Sequence, residues 1–114
     1  GQGALGHPAY SAVTAGLVHG AMPDAMVLCH AAGREAVHGY ESFSIPEAGE
    51  YAGRYEQFAS PVADSTVVAG ALNTNAIDDG TRARGAVERY ADAIDAPASD
   101  PLRFGPGPII EALV

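Results

Sequence analysis

Ala25-Met26-Val27-Leu28-Cys29-His30 is the stretch of sequence that decides the fold. It is a continuous apolar run between Pro23 and Gly33, and its length and composition are typical of a strand buried on both faces. A second run of this kind, Thr66-Val67-Val68-Ala69-Gly70-Ala71-Leu72, lies further along the chain. Because strands that are apolar throughout belong to parallel sheets, the two runs predict a parallel pair.

A helix is predicted between these strands, since apolar side chains recur at helical spacing from residue 48 to residue 59. Ser44 and Glu47 have the spacing of a capping box at its start. The chain from residue 33 to 44 shows neither period, so we interpret it as a loop with at most a short extended piece at residues 37–40. The crossover is long enough for the helix, which predicts a right-handed βαβ unit.

The remaining elements continue an α/β pattern. A short helix is expected up to Gly20, and a further helix is expected from a cap at Asp78 or Asp79 to a stop at Pro97. A short strand or extended loop and a last apolar helix or turn would complete the chain. This order predicts the C-terminal half of an α/β domain with a mostly parallel sheet. With two clear strands, one edge would be bare, so further strands are expected upstream.

The composition excludes several functions. The 114 residues carry a net charge of −8 and the six basic residues are scattered arginines, which argues against nucleic acid as a partner. No apolar run approaches the roughly 18 residues of a membrane helix, so no membrane association is predicted. The absence of lysine removes the phosphate-binding lysine of a P-loop from this chain.

The single cysteine and the first residues indicate the context of the chain. Cys29 lies inside an apolar run, so we interpret it as a buried reduced thiol that alkylates slowly, in keeping with the cytoplasm. Gly1 begins the sequence without an initiator methionine or a signal-type stretch. We therefore expect residues 1–114 to be part of a longer protein, and to be marginally folded and catalytically inert alone.

Ligands of open α/β sheets bind at the carboxyl ends of the strands, which here are residues 29–34, 73–75 and 103–105. Each candidate has a structural alternative. Gly1-Gln2-Gly3 is either part of a phosphate loop or a tight turn, and Asn73 either closes an Asx turn or contacts a ligand. Arg103 either pairs with Asp100 or holds an anion. No zinc-motif spacing occurs, so we predict no metal site for the four histidines, which are His7, His19, His30 and His38.

Six short motifs follow one another along the whole chain: Gly1-Gln2-Gly3-Ala4-Leu5, His7-Pro8-Ala9-Tyr10-Ser11, Gly16-Leu17-Val18-His19-Gly20, Pro23-Asp24-Ala25-Met26-Val27-Leu28-Cys29-His30, Ala71-Leu72-Asn73-Thr74 and Asp100-Pro101-Leu102-Arg103-Phe104-Gly105. In this order they resemble the C-terminal end of the D-glutamate N-acetyltransferase family, long catalogued as a domain of unknown function. The resemblance implies a much longer protein, with an N-terminal Rossmann-like domain followed by a three-layer P-loop domain similar to dethiobiotin synthetase. Residues 1–114 would be the C-terminal part of that P-loop domain, and the phosphate loop with its lysine would lie upstream.

The resemblance also implies an activity and residue roles. The reaction would be acetyl transfer from acetyl-CoA to D-glutamate. Gly1-Gln2-Gly3 would lie near the phosphates of the cofactor and Asn73 would face a nucleotide base. His7 or His30 would accept a proton, and Arg103 would bind a substrate carboxylate. Because consecutive strand ends share one edge of the sheet, we expect His7, His30, Asn73 and Arg103 to approach a common cleft.

Two other functions stay open. A P-loop scaffold usually handles ATP with magnesium, so an ATP-dependent ligase or kinase-like enzyme is the first alternative. The second is a non-catalytic oligomerisation module, whose glycine loops only pack. The expected partners are a small-molecule substrate, the upstream half of the same protein and, at full length, further copies in a homo-oligomer.

Overall fold

The computed structural model describes residues 4–114, so the expectations for Gly1-Gln2-Gly3 lie outside the described residues. Four helices and five strands occur in this range. They are α1 (Ser11–Ala21), β1 (Ala25–Ala31), β2 (Ala36–Val37), β3 (Tyr40–Ser44), α2 (Ala48–Ala59), β4 (Thr66–Asn73), α3 (Gly80–Ile94), β5 (Ala98–Ser99) and α4 (Gly107–Leu113). Across residues 4–114, none of the helices combines the length and apolar character that crossing a membrane requires.

The main sheet is parallel, as the two apolar runs predict. Its order is β1-β4-β5, and both neighbouring pairs run in the same direction. Ala31 lies opposite Asn73, so β1 and β4 end at the same level. The α/β fold class with a parallel sheet is confirmed. Among the described residues β1 forms one edge of this sheet, as the small number of clear strands predicts.

The core lies between the sheet and helices α2 and α3. The apolar side chains of α3 at helical spacing are buried, and the Tyr90 hydroxyl also donates a hydrogen bond to the carbonyl of Leu28, 2.9 Å away. Gly70 leaves room for this ring, because an added Cβ would lie 2.5 Å from Tyr90. The buried cluster consists of Leu28, Ala52, Val67, Leu72, Val87, Tyr90 and Ile94.

The stretch from residue 33 to 44, predicted as a loop, forms an antiparallel hairpin instead. β2 pairs with β3, and Gly39 adopts a φ of +82°, which a residue with a side chain rarely does. Every residue of β3 is exposed, so the strand has no buried face and no apolar alternation for the sequence to display. For this reason the sequence of β3 lacks the alternation of apolar and polar residues that would predict a strand.

The two predicted helix caps have different outcomes. Asp79 caps α3, since its carboxylate accepts a hydrogen bond from the Thr81 backbone N–H at 2.8 Å. The prediction of a capping box at the start of α2 is wrong, because Ser44 is the last residue of β3 and the Glu47 side chain makes no cap hydrogen bond. Pro46 and its neighbours separate the hairpin from the helix, which leaves Ser44 outside the first turn.

The predicted burial of Cys29 is also wrong, because the thiol is exposed. Only Leu28 is buried along β1. An apolar strand is buried on both faces only when other layers cover it on both sides, and β1 is an edge strand in the described part of the sheet. The slow alkylation inferred from burial therefore has no basis.

Candidate functional site

Two adjoining depressions lie at the carboxyl edge of the main sheet, as parallel strand ends predict. The first, of about 370 Å³, is lined by His30, Asn73 and Leu102, among others. The second, of about 500 Å³, shares Asn73 and Leu102 and adds Asn75 and Arg103. The sheet therefore brings His30, Asn73 and Arg103 to one region.

Asp100 holds together the two loops that border these depressions. The residue is 4% exposed, and its carboxylate accepts four hydrogen bonds. Two come from the backbone N–H and hydroxyl of the fully buried Thr74, at 2.9 and 2.6 Å. The other two come from the backbone N–H groups of Leu102 and Arg103, both at 3.1 Å. Burial raises the pKa of Asp100, but these hydrogen bonds outweigh it and hold the pKa below its ordinary value.

The guanidinium of Arg103 closes the loop that follows β4. It donates to the carbonyl oxygens of Thr74, Ile77 and Asp78 at 3.1, 2.6 and 2.9 Å. It also donates to the Thr74 hydroxyl at 3.2 Å. Its contact with Asp100 is made by the backbone N–H instead of the side chain. Binding of a substrate carboxylate by Arg103 stays a prediction. Both Nη atoms would have to give up their backbone carbonyl partners to bind the carboxylate.

Asn73 forms the Asx turn that its position predicts as the structural alternative. Its Oδ1 accepts a hydrogen bond from the Asn75 backbone N–H at 2.9 Å. The side chain is nevertheless exposed at the end of β4 and lines both depressions. A role in base binding is compatible with this turn, and it stays a prediction.

The two candidate proton acceptors lie in different surroundings. His30 is half-buried at the end of β1 and stacks on Tyr90 at 6.1 Å. Burial, together with the positive charge of Arg34, lowers the pKa of His30, so the imidazole is neutral at neutral pH. His7 contacts Tyr10 and Tyr40 and lines neither depression. The approach of His7 to a common cleft with the other three residues stays a prediction.

His19 has a structural contact in the described residues. The Nε2 atom of His19 lies 2.8 Å from the carbonyl oxygen of Phe58, and the two rings stack at 4.3 Å. This contact joins the C-terminal ends of α1 and α2. Between residues 4 and 114, no three metal-binding side chains of His, Cys, Asp or Glu come together.

Two tyrosines of α2 bind the backbone at residues 5 and 6 through their hydroxyl groups. The Tyr55 hydroxyl accepts a hydrogen bond from the Leu5 backbone N–H at 2.9 Å, and the Tyr51 hydroxyl accepts one from Gly6 at 3.0 Å. Burial is the main cause that raises the pKa of Tyr55 to about 12. These hydroxyls fix the residues that follow Gly1-Gln2-Gly3. Helical spacing alone gives no signal for such a role.

A parallel sheet flanked by helices, with polar loops at its carboxyl edge, defines an α/β domain of the kind that binds ligands at the strand ends. The family model described as "Domain of unknown function (DUF1611_C) P-loop domain" matches residues 1–110. The chain therefore belongs to the DUF1611 family, within its P-loop domain.

Two named relatives and a solved structure agree with this assignment. The chain is 34% identical over 118 residues to a D-glutamate N-acetyltransferase from Tritonibacter scottomollicae and 37% identical to one from a Pseudoalteromonas species. Each match covers 99% of this chain but only 34% of the relative. A crystal structure of a DUF1611 family protein from Anabaena variabilis superposes with a TM-score of 0.92 at 33% identity, and the match covers 99% of this chain and 33% of that one. The resemblance inferred from the six motifs is confirmed.

Proposed function

We propose that this chain is part of an enzyme that transfers the acetyl group of acetyl-CoA to the amino group of D-glutamate. The observation that carries the proposal is the similarity to two relatives named D-glutamate N-acetyltransferase across 99% of the chain. Because the chain spans 34% of their length, the complete activity would need residues outside it. The upstream part of the protein is the proposed partner, and it would contribute the phosphate loop.

Acetyl transfer requires a proton acceptor, which we propose lies at the carboxyl edge of the sheet. The amine of D-glutamate attacks the thioester carbonyl carbon, a C–N bond forms, the C–S bond breaks and coenzyme A leaves as the thiol. The attacking nitrogen must lose a proton, so a neutral base is needed nearby. His30 is the proposed acceptor, because it lines the depression and burial keeps its imidazole neutral. His7 is the alternative acceptor.

Gly1-Gln2-Gly3 is the proposed contact for the phosphates of coenzyme A, which backbone N–H groups bind well. The support from the described residues is indirect. Tyr51 and Tyr55 bind the backbone N–H groups of Gly6 and Leu5, which follow this segment in the sequence. Asn73 is the proposed contact for the nucleotide base.

Replacing His30 by glutamine in the full-length protein should lower kcat for acetyl transfer by about 100-fold or more, because general base catalysis typically contributes that much. In the wild type, kcat should decline on the acid side with a midpoint below 6.5, since the lowered pKa keeps His30 unprotonated to a lower pH. The matched control is His19→Gln, whose imidazole contacts Phe58 away from this edge. A full loss in His7→Gln with little change in His30→Gln would assign the base to His7.

An ATP-dependent ligase or kinase-like activity is the second candidate, because the chain belongs to a P-loop domain family. The full-length protein should be incubated with labelled acetyl-CoA and D-glutamate, and separately with ATP, magnesium and D-glutamate. We expect labelled N-acetyl-D-glutamate without ATP. Production of ADP without acetylation would support the second candidate. If neither reaction occurs, the result would support a non-catalytic module.

The same assay should include residues 1–114 expressed alone as a control. We expect no turnover and no sharp thermal transition from this chain, because two main strands and the helices around them bury little apolar surface against the entropy of ordering the backbone. Full turnover with a cooperative melt would contradict the need for the upstream part.

A further inference from the structure

Few positive charges in this chain are free to bind an anion. The chain has six arginines and no lysine. Within residues 4–114, three of the arginine side chains are already engaged, by a carboxylate, by an aromatic ring and by backbone carbonyl oxygens; they are Arg54, Arg84 and Arg103. The other three are exposed and make no hydrogen bond or ion pair with the described residues; they are Arg34, Arg82 and Arg89.

A tight turn holds Arg34 close to His30, the proposed proton acceptor. β1 ends at Ala31, and the Arg34 backbone N–H donates to the Ala31 carbonyl oxygen at 3.2 Å. The Ala32 N–H donates to the carbonyl oxygen of Asn73 at 2.9 Å, so the turn is also joined to the end of β4. The chain therefore turns back on itself between His30 and Arg34 instead of continuing along the strand direction.

The electrostatics agree with this placement. Burial is the larger cause that lowers the pKa of His30, and the positive charge of Arg34 is the second. Arg34 is therefore the unengaged arginine whose charge reaches the imidazole. An anion bound at Arg34 would lie beside the proposed acceptor.

D-glutamate carries two carboxylates, and a protein with a net charge of −8 repels such a substrate unless a cation receives it. An arginine suits this task, because its planar fork of donors matches the two oxygens of a carboxylate. Arg34 has no partner in residues 4–114 to give up when it binds. Arg103 would first have to release the carbonyl oxygens that it now holds.

The position beside His30 favours a carboxylate of D-glutamate over the phosphates of coenzyme A. The base must lie next to the amine whose proton it accepts. The α-carboxylate of D-glutamate is attached to the carbon that bears this amine. The phosphates of acetyl-CoA, by contrast, are separated from the thioester by the whole pantetheine arm.

We propose that Arg34 binds the α-carboxylate of D-glutamate, in place of Arg103, while the neighbouring His30 accepts the proton of the amine. Arg34 is then the residue that positions the substrate, and Arg103 keeps its structural contacts with the loop after β4. This inference rests on the proposed function, which supplies the substrate.

The test measures kcat and the KM of both substrates in the full-length protein. Arg34→Gln should raise the KM for D-glutamate by about tenfold or more, because charge-assisted hydrogen bonds to the carboxylate are lost. The KM for acetyl-CoA and the melting temperature should stay unchanged. Arg34→Lys should have an intermediate KM, since lysine keeps the charge but lacks the planar fork. Arg82→Gln is the matched control, because it removes the same charge from an exposed arginine on α3.

Two substrate analogues identify the carboxylate. 4-Aminobutanoate lacks the α-carboxylate, and D-glutamine carries an amide in place of the side-chain carboxylate. As inhibitors competing with D-glutamate, D-glutamine should bind less tightly to Arg34→Gln than to the wild type, and 4-aminobutanoate should bind equally to both. The reverse pattern would assign Arg34 to the side-chain carboxylate and overturn the proposal. If the wild type binds neither analogue, the KM for D-glutamate decides.

The remaining outcomes separate this inference from the proposed function. Acetyl transfer with an unchanged KM for D-glutamate in Arg34→Gln overturns the role of Arg34 and leaves the function standing. A rise in the KM for acetyl-CoA alone has the same consequence, because it would assign Arg34 to the phosphates. A wild type that does not acetylate D-glutamate overturns the function. Calorimetry of D-glutamate binding in the presence of coenzyme A then decides: binding that Arg34→Gln weakens supports the site, and no binding to the wild type overturns it.

Discussion

Replacement of Asp100 by alanine is expected to lower the free energy of unfolding by about 3 to 5 kcal/mol, since each buried donor left without an acceptor costs about 1 to 3 kcal/mol. The backbone N–H and the hydroxyl of Thr74 would both lose their partner inside the protein. The backbone N–H groups of Leu102 and Arg103 would lose theirs near the surface. Denaturant unfolding of the full-length protein, as wild type and as variant, would measure the loss.

Asp64→Ala is the control for this substitution, because Asp64 is an exposed aspartate just before β4. Its change should stay within about 0.5 kcal/mol, as for most surface substitutions. An Asp100→Ala protein as stable as Asp64→Ala would show that the carboxylate does not hold the two loops together.

The pH dependence of stability gives a second check on Asp100. Burial raises its pKa, the hydrogen bonds from Thr74 and from residues 102 and 103 lower it more, and the net folded pKa is below the ordinary value. The stabilisation is therefore present above the unfolded pKa of about 3.9 and is lost as the pH falls through the folded pKa. The difference between wild type and Asp100→Ala should shrink in acid. An unchanged difference down to the lowest pH at which both fold would contradict this.

Gly49→Ala is expected to destabilise the protein by about 1 to 3 kcal/mol, the usual cost of forcing an extra group into a packed contact. An added Cβ would lie 2.5 Å from the carbonyl oxygen of Ala93, so α2 and α3 would have to separate. Gly53→Ala on the same helix is the matched control. Nothing lies within 4 Å of its added Cβ, and it should stabilise the helix by about 0.5 to 1 kcal/mol.

Thermal melting of both glycine variants in the full-length protein would measure the difference. Opposite signs are expected for two identical substitutions one turn apart. Equal effects would mean that the two helices are not in close contact at Gly49.

The sequence predicts the main sheet because its information is local. The apolar runs before His30 and before Asn73 are long enough to be strands and too short to be helices, and the stripe along α3 has the helical period. The hairpin that includes Tyr40–Ser44 was missed, because a strand without a buried face carries no such pattern. The exposure of Cys29 could not be predicted, since it depends on which layers cover an edge strand.

The location of the candidate site is predictable from the rule that parallel strands end at one edge, and Asn73 and His30 lie there. The contacts that shape the site are not predictable in the same way. Thr74 and Asp100 are 26 residues apart, and their spacing in the sequence does not predict the hydrogen bonds between them. From the sequence, the Arg103 guanidinium is expected to bind either the Asp100 carboxylate or an anion. In the fold it binds backbone carbonyl oxygens, which no side-chain pattern identifies.

The shared carboxylate of Asp100 has a consequence for how this edge can diversify. Thr74 and Asp100 form an inner frame, because the two hydrogen bonds between them join the loops after β4 and β5. Asn75 and Leu102 are exposed on that frame, and their side chains can be exchanged without disturbing the hydrogen bonds beneath them. Ligand preference can therefore drift by substitution at these outer positions while the scaffold stays constant, and a library randomised there would sample new specificities among folded proteins.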